Sequence, residues 1–182
     1  MKSSAEKITP EAFYQQLAQA GGPDLVAFAR WVVENAPAHA LSVTWGKGGP
    51  LLKFAHEKYA FLPFAFGQLD RSGVLSQRQS GVLRSCTELR VPVEIIRRYM
   101  KDVAALIPGA YVKTFPLPGG TVKELLVFGE NAGPIDWPPL APLSLHKEEW
   151  LAAIDRAIVR IREVLDERPN GNLPTGKPLP KT

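Results

Sequence analysis

The segment LSVTWGKGGPLLKFAH, residues 41–56, is the stretch from which the fold can be predicted. Leu41, Val43 and Trp45 alternate with polar residues, which is the period-two pattern of a strand with one buried face. The turn-forming sequence GKGGP at residues 46–50 interrupts this pattern, and a second apolar run follows it. We therefore predict a β-hairpin here, and we expect it to begin the sheet of the protein.

Two helices are predicted before this hairpin. Thr9 can cap the first helix, with Pro10 at the first helical position. The glycine pair at residues 21–22 ends that helix. Pro23 opens a second helix, which closes after Asn35. Because the turn between them is very short, the two helices are expected to be antiparallel or steeply crossed.

Further strands are predicted after the hairpin. Residues 59–66 (YAFLPFAF) form a strand candidate, in which Pro63 indicates an edge position or a bulge. Residues 74–83 are compatible either with a polar strand or with a helical turn. Residues 111–115 and 121–128 flank a turn, and they predict a second hairpin or an extension of the first sheet.

Two more helices complete the predicted set of elements. A middle helix begins at Pro92 and has one apolar and one charged side. Residues 129–143 are rich in proline and glycine and predict a long covering loop, with Trp137 packed against the body of the protein. Ser144 is the expected cap of the last and longest helix, which stops at Arg168.

Together these elements predict a single α+β domain over residues 1–168. A small, mostly antiparallel sheet is covered by two N-terminal helices, a middle helix and a long C-terminal helix. The basic, proline-rich segment 169–182 is predicted to be disordered. A chain of 182 residues that is 45% hydrophobic and 22% charged is typical of a globular protein with a sizeable core.

Several features of the sequence favour a cytoplasmic protein that does not interact with a membrane. No apolar run is long enough to cross a bilayer, and the N-terminal residues lack the apolar segment of a secretory signal. Cys86 is the only cysteine, so neither an intrachain disulfide nor a cysteine metal cluster is possible. A reducing compartment fits this composition.

The formal net charge of +4 is unevenly distributed along the chain. Residues 71–101 alone carry a net charge of +5, so the remaining residues sum to −1. A local excess of positive charge can attract phosphate groups or acidic partners. The same charges are equally compatible with a solvated face. The basic residues of this segment are Arg71, Arg78, Arg84, Arg90, Arg97, Arg98 and Lys101.

The charged side of the middle helix carries the residues that we predict to contact phosphate groups. Glu94 and Arg98 are spaced to pair along the helix, and this pairing explains part of the charge pattern. Arg97 and Lys101 remain available on the same side. Since Arg and Lys on one helix face suit contacts with a phosphate backbone, Arg97, Arg98 and Lys101 are the predicted contacts of nucleic acid or another polyanion.

Lys47, in the turn of the hairpin, is a further predicted contact. The glycines around it suit a tight turn, because glycine adopts positive φ without steric cost. Trp45 beside it could stack on a base while Lys47 contacts a phosphate. The alternative is a plain hairpin turn with Trp45 in the core.

The sequence lacks the patterns of several known catalytic and metal-binding sites. The glycine-rich turn at residues 46–49 is not a phosphate-binding loop, because an apolar strand follows it and not a helix. A restriction-type nuclease needs an acid-x-lysine pattern, which Lys123 and Glu124 do not provide. The histidines are far apart and lack the spacing of metal ligands. We therefore predict no catalytic residue, no metal site and no cofactor.

The order of these features resembles that of a group of known proteins. A helical pair precedes the Trp-Gly-Lys-Gly strand of residues 43–48, a helix follows Val91-Pro92-Val93, and a long helix follows Pro142-Leu143-Ser144. This arrangement is similar to uncharacterised bacterial α+β domains associated with predicted restriction-type endonucleases and related defence proteins. The resemblance implies an accessory or recognition role near nucleic acid.

These observations favour a non-enzymatic binding or accessory protein whose partner is nucleic acid or another polyanion. An alternative is a protein–protein module that forms oligomers through its last helix, whose apolar seam would be the interface. A third possibility is an enzyme with an unfamiliar site around His56, Asp70 and Arg71. The predicted interface residues of the second possibility are Trp150, Ile154, Ile158 and Ile161.

Overall fold

The computed structural model of the chain describes residues 7–77, 81–117, 119–120 and 122–168. The predicted α+β class with a small antiparallel sheet is confirmed. The predicted tail, residues 169–182, lies outside the described residues. The helices are α1 (Pro10–Asn35), α2 (Gly81–Glu88), α3 (Val93–Leu106), α4 (Ala141–Leu145) and α5 (Lys147–Asp166). The strands are β1 (Ser42–Trp45), β2 (Pro50–Phe54), β3 (Phe64–Leu69), β4 (Leu75–Ser76), β5 (Ala110–Pro116) and β6 (Val122–Phe128).

Strands β1 and β2 form the hairpin predicted from residues 41–56, and they pair antiparallel. The Gly46 N–H donates a hydrogen bond of 3.0 Å to the Gly49 carbonyl and closes the turn. Gly49 has a φ of 151°, and a Cβ atom at this position would overlap the Leu69 carbonyl oxygen and the Phe13 ring. The turn therefore requires glycine here both for its backbone angle and for the close approach of its neighbours.

Strand β3 lies inside a four-stranded sheet with the order β1-β2-β3-β4, which corrects the predicted edge position. Residues 57–59 form a 3₁₀ turn, and the strand begins only after Pro63. Pro63 is thus outside the ladder and removes no hydrogen bond from it. A register shift between Leu52 and Lys53 of β2 marks a bulge in its pairing with β3.

The two regions with open alternatives are now assigned. Residues 74–83 contain both predicted elements, since the short strand β4 is followed by α2 from Gly81. Strands β5 and β6 form a separate two-stranded antiparallel sheet. The second hairpin is therefore confirmed, and it does not extend the first sheet.

Helix α1 contains both predicted N-terminal helices. The Thr9 side chain accepts a hydrogen bond of 3.2 Å from the Ala12 N–H, and Pro10 opens the first turn. Gly22 has a φ of 78°, which is not helical, and it divides α1 into two parts at the predicted glycine pair. The connection is a kink at this residue and not a separate loop.

The start of the last helix differs from the prediction. Ser144 does not cap it, because the short helix α4 begins at Ala141, with Pro142 in its first turn, and includes Ser144. The Ser144 hydroxyl donates to the Ala141 carbonyl at 2.7 Å. His146 precedes α5, which continues to Asp166.

The main core lies between the four-stranded sheet and helices α1, α3 and α5. Phe66 of β3 and Tyr99 of α3 meet edge to face at 5.1 Å between ring centroids, and Phe28 of α1 meets Trp150 of α5 at 6.0 Å. A smaller cluster lies under the loop that follows β6, as predicted for Trp137. Its buried members are Leu125, Val127, Ala132 and Trp137.

Candidate functional site

A groove between α3 and α5 has a volume of about 590 Å³. Its floor is largely apolar and includes Ile95 of α3 and Ala153, Ala157 and Val159 of α5. Val159 is 51% exposed and contributes apolar surface to the groove. The charged residues that line the groove are Glu94, Arg98, Asp102, Asp155, Arg156 and Arg160.

Two arginines from different helices meet at one carboxylate in this groove. Arg98 Nε lies 3.0 Å from Asp102 Oδ1, and Arg156 Nη2 donates a 3.0 Å hydrogen bond to Asp102 Oδ2. The Asp102 side chain is only 17% exposed, whereas Arg98 and Arg156 are 80% and 61% exposed. Asp102 thus holds two guanidiniums close together while most of their N–H donors face solvent.

Arg160 adds a third guanidinium to the same groove. It lies one helical turn after Arg156 on α5, so both side chains share a face of that helix. Its Nη1 donates to Glu163 Oε2 at 2.6 Å, and its side chain is 69% exposed. The groove therefore presents guanidiniums from both of its walls.

Buried hydrogen bonds fix the two helices that form this groove. The Tyr99 hydroxyl donates to the Phe66 carbonyl at 2.9 Å, and it accepts from the Trp150 indole N–H at 3.2 Å. Burial raises the pKa of the Tyr99 hydroxyl, so the group stays protonated and neutral. This chain of hydrogen bonds joins β3, α3 and α5 and sets the distance between the walls of the groove.

Two of the carboxylates in the groove have further partners of their own. Glu94 lies 3.1 Å from Nη1 of Arg97, and Asp155 lies 2.7 Å from Nδ1 of His39. Since the lining contains equal numbers of arginines and carboxylates, its net charge is small. The distinctive feature of the groove is the grouping of its guanidiniums.

The predicted phosphate contacts on α3 have different environments. Arg97 points to the second sheet, where its Nε donates to Glu124 Oε2 at 2.6 Å. The hydrogen bond and the negative charge of Glu124 raise the pKa of Arg97, and a second ion pair with Glu94 further neutralises it. Arg98 lines the groove, and Lys101 is exposed one turn further along. The structure therefore separates Arg97 from Arg98.

Trp45 and Lys47 do not line this groove. Trp45 is half-buried, and its ring meets those of Phe13 at 5.5 Å and Tyr14 at 6.1 Å, edge to face. This packing supports the alternative in which Trp45 belongs to the core. Lys47 is exposed in the hairpin turn, on a different element from α3 and α5.

The predicted oligomer interface is corrected by the structure. Trp150, Ile154, Ile158 and Ile161 are at most 3% exposed, and all of them belong to the main core. The apolar seam of α5 therefore packs within the chain and cannot meet a second copy. The prediction was wrong because the periodicity of a helix indicates that one face is buried but not what covers it.

The predicted enzymatic site does not form either. His56 precedes β3, and Asp70 and Arg71 follow it, so the strand separates them by about 20 Å. The buried His56 lies 3.2 Å from Asp166 of α5. Asp70 accepts hydrogen bonds from the N–H and hydroxyl of Ser72 in its own turn. These residues support local structure at opposite ends of the sheet.

Cys86 is buried at 3% exposure in α2. Burial raises the pKa of its thiol to about 12, so the thiolate is not formed near neutral pH. Among the described residues, no group of three or more His, Cys, Asp or Glu side chains is placed to hold a metal ion.

Sequence analysis did not identify Arg156 and Arg160 as site residues, because charged residues on a helix usually form only its solvated face. The two arginines are indeed exposed, but Asp102, which pairs with Arg156, is 54 positions away in the sequence. The four-residue spacing of the two arginines was a visible sign of a shared helix face. Nothing in the sequence indicated which other element that face would meet.

The comparisons with known proteins give no family assignment. No family model matches the chain, and no curated protein and no solved structure matches it. Among the described residues, no helix is both long enough and apolar enough to cross a membrane.

Proposed function

We propose that the protein is a non-enzymatic accessory protein that binds nucleic acid through the α3/α5 groove. Arg98, Arg156 and Arg160 would contact phosphate groups, with Lys101 as an outer contact. The observation that supports this function is the convergence of Arg98 and Arg156 on the single carboxylate of Asp102. The resemblance to domains of defence proteins is consistent with such a role and stays a prediction.

The chemistry of arginine explains why this grouping suits a phosphate backbone. A guanidinium has five N–H donors in a planar fork that matches phosphate oxygens. Arg98 and Arg156 each use part of this capacity on Asp102 and keep the rest for a ligand. Because Asp102 holds both side chains in place, less conformational entropy is lost when they bind.

The net charge of the groove contributes little to the binding of an anion, because carboxylates lie beside the arginines. Glu94 and Asp155 lie in the same groove, although each has a partner outside the arginine group. Placement of the guanidiniums, and not a large positive field, therefore supports binding. We expect a moderate affinity that depends on salt and varies little with base sequence.

The test is fluorescence anisotropy with labelled single-stranded and duplex DNA and RNA at several salt concentrations. The Arg98→Gln/Arg156→Gln/Arg160→Gln variant should bind at least tenfold more weakly. Its plot of log affinity against log salt should be shallower by about 2 to 3, since each phosphate contact contributes roughly 0.7–0.9. This variant leaves the partly buried Asp102 without its arginine partners. Urea denaturation checks that the variant is still folded.

A matched control removes three exposed arginines from other elements, in the variant Arg30→Gln/Arg71→Gln/Arg84→Gln. Its net charge falls by the same amount, but its affinity should change less than threefold. Equal losses in the two variants would mean that overall charge and not the groove drives binding. Absence of binding to every nucleic acid at low salt would reject the proposed function.

A further inference from the structure

The α3/α5 groove has aliphatic side chains beside its arginines. On α3, Ile95 is half-buried and lies three residues before Arg98, so both side chains share one face of that helix. On α5, Val159 lies three residues after Arg156 and is 51% exposed. Each wall therefore presents an apolar surface next to a guanidinium, and contact with phosphate groups alone does not require such a surface.

Two of these guanidiniums are well exposed although both have a partner. Arg98 Nε and Arg156 Nη2 each lie 3.0 Å from an oxygen of Asp102, and the two arginine side chains are 80% and 61% exposed. A partner at the nitrogen edge of a guanidinium leaves its planar faces available for stacking. Among the described residues, no aromatic ring lies against Arg98, Arg156 or Arg160.

The shape of the groove limits which part of a nucleic acid can enter it. Helices that pack against each other, as α3 and α5 do, have axes about 8–10 Å apart. A duplex, whose major groove alone is about 12 Å wide, would touch only the rim of a cleft between such helices. The groove volume of about 590 Å³ lies within the range of about 300–1,000 Å³ that is typical of small-molecule sites. A single base suits a cleft of this size.

The charge of the lining favours the same part of the ligand. The lining contains three arginines and three carboxylates, so its net charge adds little to the binding of phosphate groups. Stacking of a base on a guanidinium, together with contacts to aliphatic side chains, would supply binding energy that phosphate groups cannot. The bases of a duplex are already stacked and paired, whereas a single strand presents them to the protein.

We propose that the groove binds single-stranded nucleic acid and holds one unstacked base between its walls, an inference that rests on the proposed function and deepens it. The base would stack on the guanidinium of Arg98 or Arg156 and pack against Ile95 and Val159. Arginine N–H groups that face solvent would contact the phosphates on either side of this base. Single strands of DNA and RNA share this chemistry.

The experiment measures the affinity of the full chain for labelled oligonucleotides by fluorescence anisotropy. The ligands are a deoxyuridine decamer, an abasic deoxyribose decamer with the same backbone charge, a uridine decamer and a DNA duplex of the same length. We expect the deoxyuridine decamer to bind at least tenfold more tightly than the abasic decamer and at least threefold more tightly than the duplex. The two DNA single strands should show the same dependence on salt, because their phosphate contacts are the same.

Val159→Ser tests the apolar wall without removing a charge. Its affinity for the deoxyuridine decamer should fall at least threefold, and its affinity for the abasic decamer should change less than twofold. The matched control is Val122→Ser on β6, because Val122 is 63% exposed and lies outside the groove. This control should leave both affinities unchanged. Because both valines are exposed, both variants should unfold at the same urea concentration as the wild type.

The outcomes separate this inference from the proposed function. Equal binding of the deoxyuridine and abasic decamers would overturn the inference, but it would leave the phosphate contacts of the proposed function intact. Tighter binding of the duplex than of the deoxyuridine decamer would have the same meaning. Equal losses of affinity in Val159→Ser and Val122→Ser would also overturn the inference. Absence of binding to every ligand at low salt would reject both proposals.

The two single strands with bases differ only in the 2′-hydroxyl groups of their sugars. With the expected dependence on the base, tighter binding of the uridine decamer would support the inference with RNA as the ligand. Tighter binding of the deoxyuridine decamer would support it with DNA as the ligand.

Discussion

The backbone of Gly49 has a φ of 151°, in a region that residues with a Cβ atom rarely adopt. A Cβ atom here would also overlap the Leu69 carbonyl oxygen and the Phe13 ring, which belong to β3 and α1. The turn of the first hairpin is thus packed between two other elements. Glycine is the residue type that meets both conditions.

Gly49→Ala should therefore lower the free energy of unfolding by about 3 kcal/mol, from backbone strain plus overpacking. The measurement is urea denaturation. The variants are compared only if their free energies of unfolding depend on the urea concentration with similar slopes. Gly119→Ala is the control, because Gly119 also has a positive φ of 86°, but a Cβ atom there would meet no heavy atom within 4 Å beyond its chain neighbours. Backbone strain alone should lower the free energy of unfolding of this variant, by about 1–2 kcal/mol. Equal losses would show that packing around Gly49 is loose.

At the residue scale, the sequence predicted features that depend on neighbouring positions, such as helix caps and turns. It did not predict which element a given side chain contacts. The Thr9 cap and the glycine pair at residues 21–22 followed from backbone preferences that operate within a few positions. Ser144 was misplaced because Pro142 offers an earlier helix start, and the two starts compete. Arg97 and Arg98 are neighbours in sequence, yet one contacts β6 and the other lines the groove against α5. Only the packing of α3 decides that difference.

At the scale of elements, α3, α5 and β3 are joined through the Tyr99 hydroxyl. This group is buried, and it bridges the Phe66 carbonyl and the Trp150 indole N–H. Tyr99→Phe keeps the ring but leaves the Trp150 N–H without its partner. Since an unpaired buried donor costs about 1–3 kcal/mol, the variant should be less stable by that amount at pH 7.

The difference in the free energy of unfolding between the wild type and Tyr99→Phe should also depend on pH. Burial raises the pKa of Tyr99 in the folded state above its ordinary value of 10.0. Above pH 10 the unfolded chain therefore loses this proton before the folded chain does, and the wild type loses stability at about 1.4 kcal/mol per pH unit. The Phe variant lacks this group, so the gap between the two should narrow as the pH rises past 10. Urea denaturation at pH 7 to 11 measures it.

Tyr14→Phe is the control, since the Tyr14 ring keeps its contact with the Arg30 guanidinium, 4.1 Å from the ring centroid. Its stability at pH 7 should stay within about 0.5 kcal/mol of the wild type. A gap for Tyr99→Phe that does not change with pH would contradict a neutral, buried hydroxyl in the folded chain.

At the scale of the whole molecule, α5 connects parts of the chain that are far apart in sequence. Asp155 contacts His39 and Asp166 contacts His56, at 2.7 and 3.2 Å. The amphipathic pattern of α5 was clear from the sequence, but the same pattern suits a core helix and an oligomer interface. Ile154 is buried in the main core, and α3 packs against α5, so this face is covered within the chain. Long-range packing of this kind has no local signature.

Removal of α5 should therefore unfold the chain. Each large apolar side chain that it buries contributes about 1.5–3 kcal/mol, and together they match the 5–15 kcal/mol by which small domains are stable. A chain that ends at His146 should give no dispersed NMR spectrum and no cooperative urea transition. The buried side chains lost are Trp150, Leu151, Ile154, Ile158, Ile161 and Leu165.

A chain that ends at Arg168 is the control for this truncation, because it keeps every described residue after α5. It also keeps the Arg168 guanidinium, which donates to the Leu89 and Arg90 carbonyls. This shorter chain should unfold cooperatively at the same urea concentration as the full chain. A cooperative transition in the chain that ends at His146 would mean that the sheet and the first helices are stable alone. In that event α5 would be a helix docked on a preformed domain, and the α3/α5 groove would open and close with it.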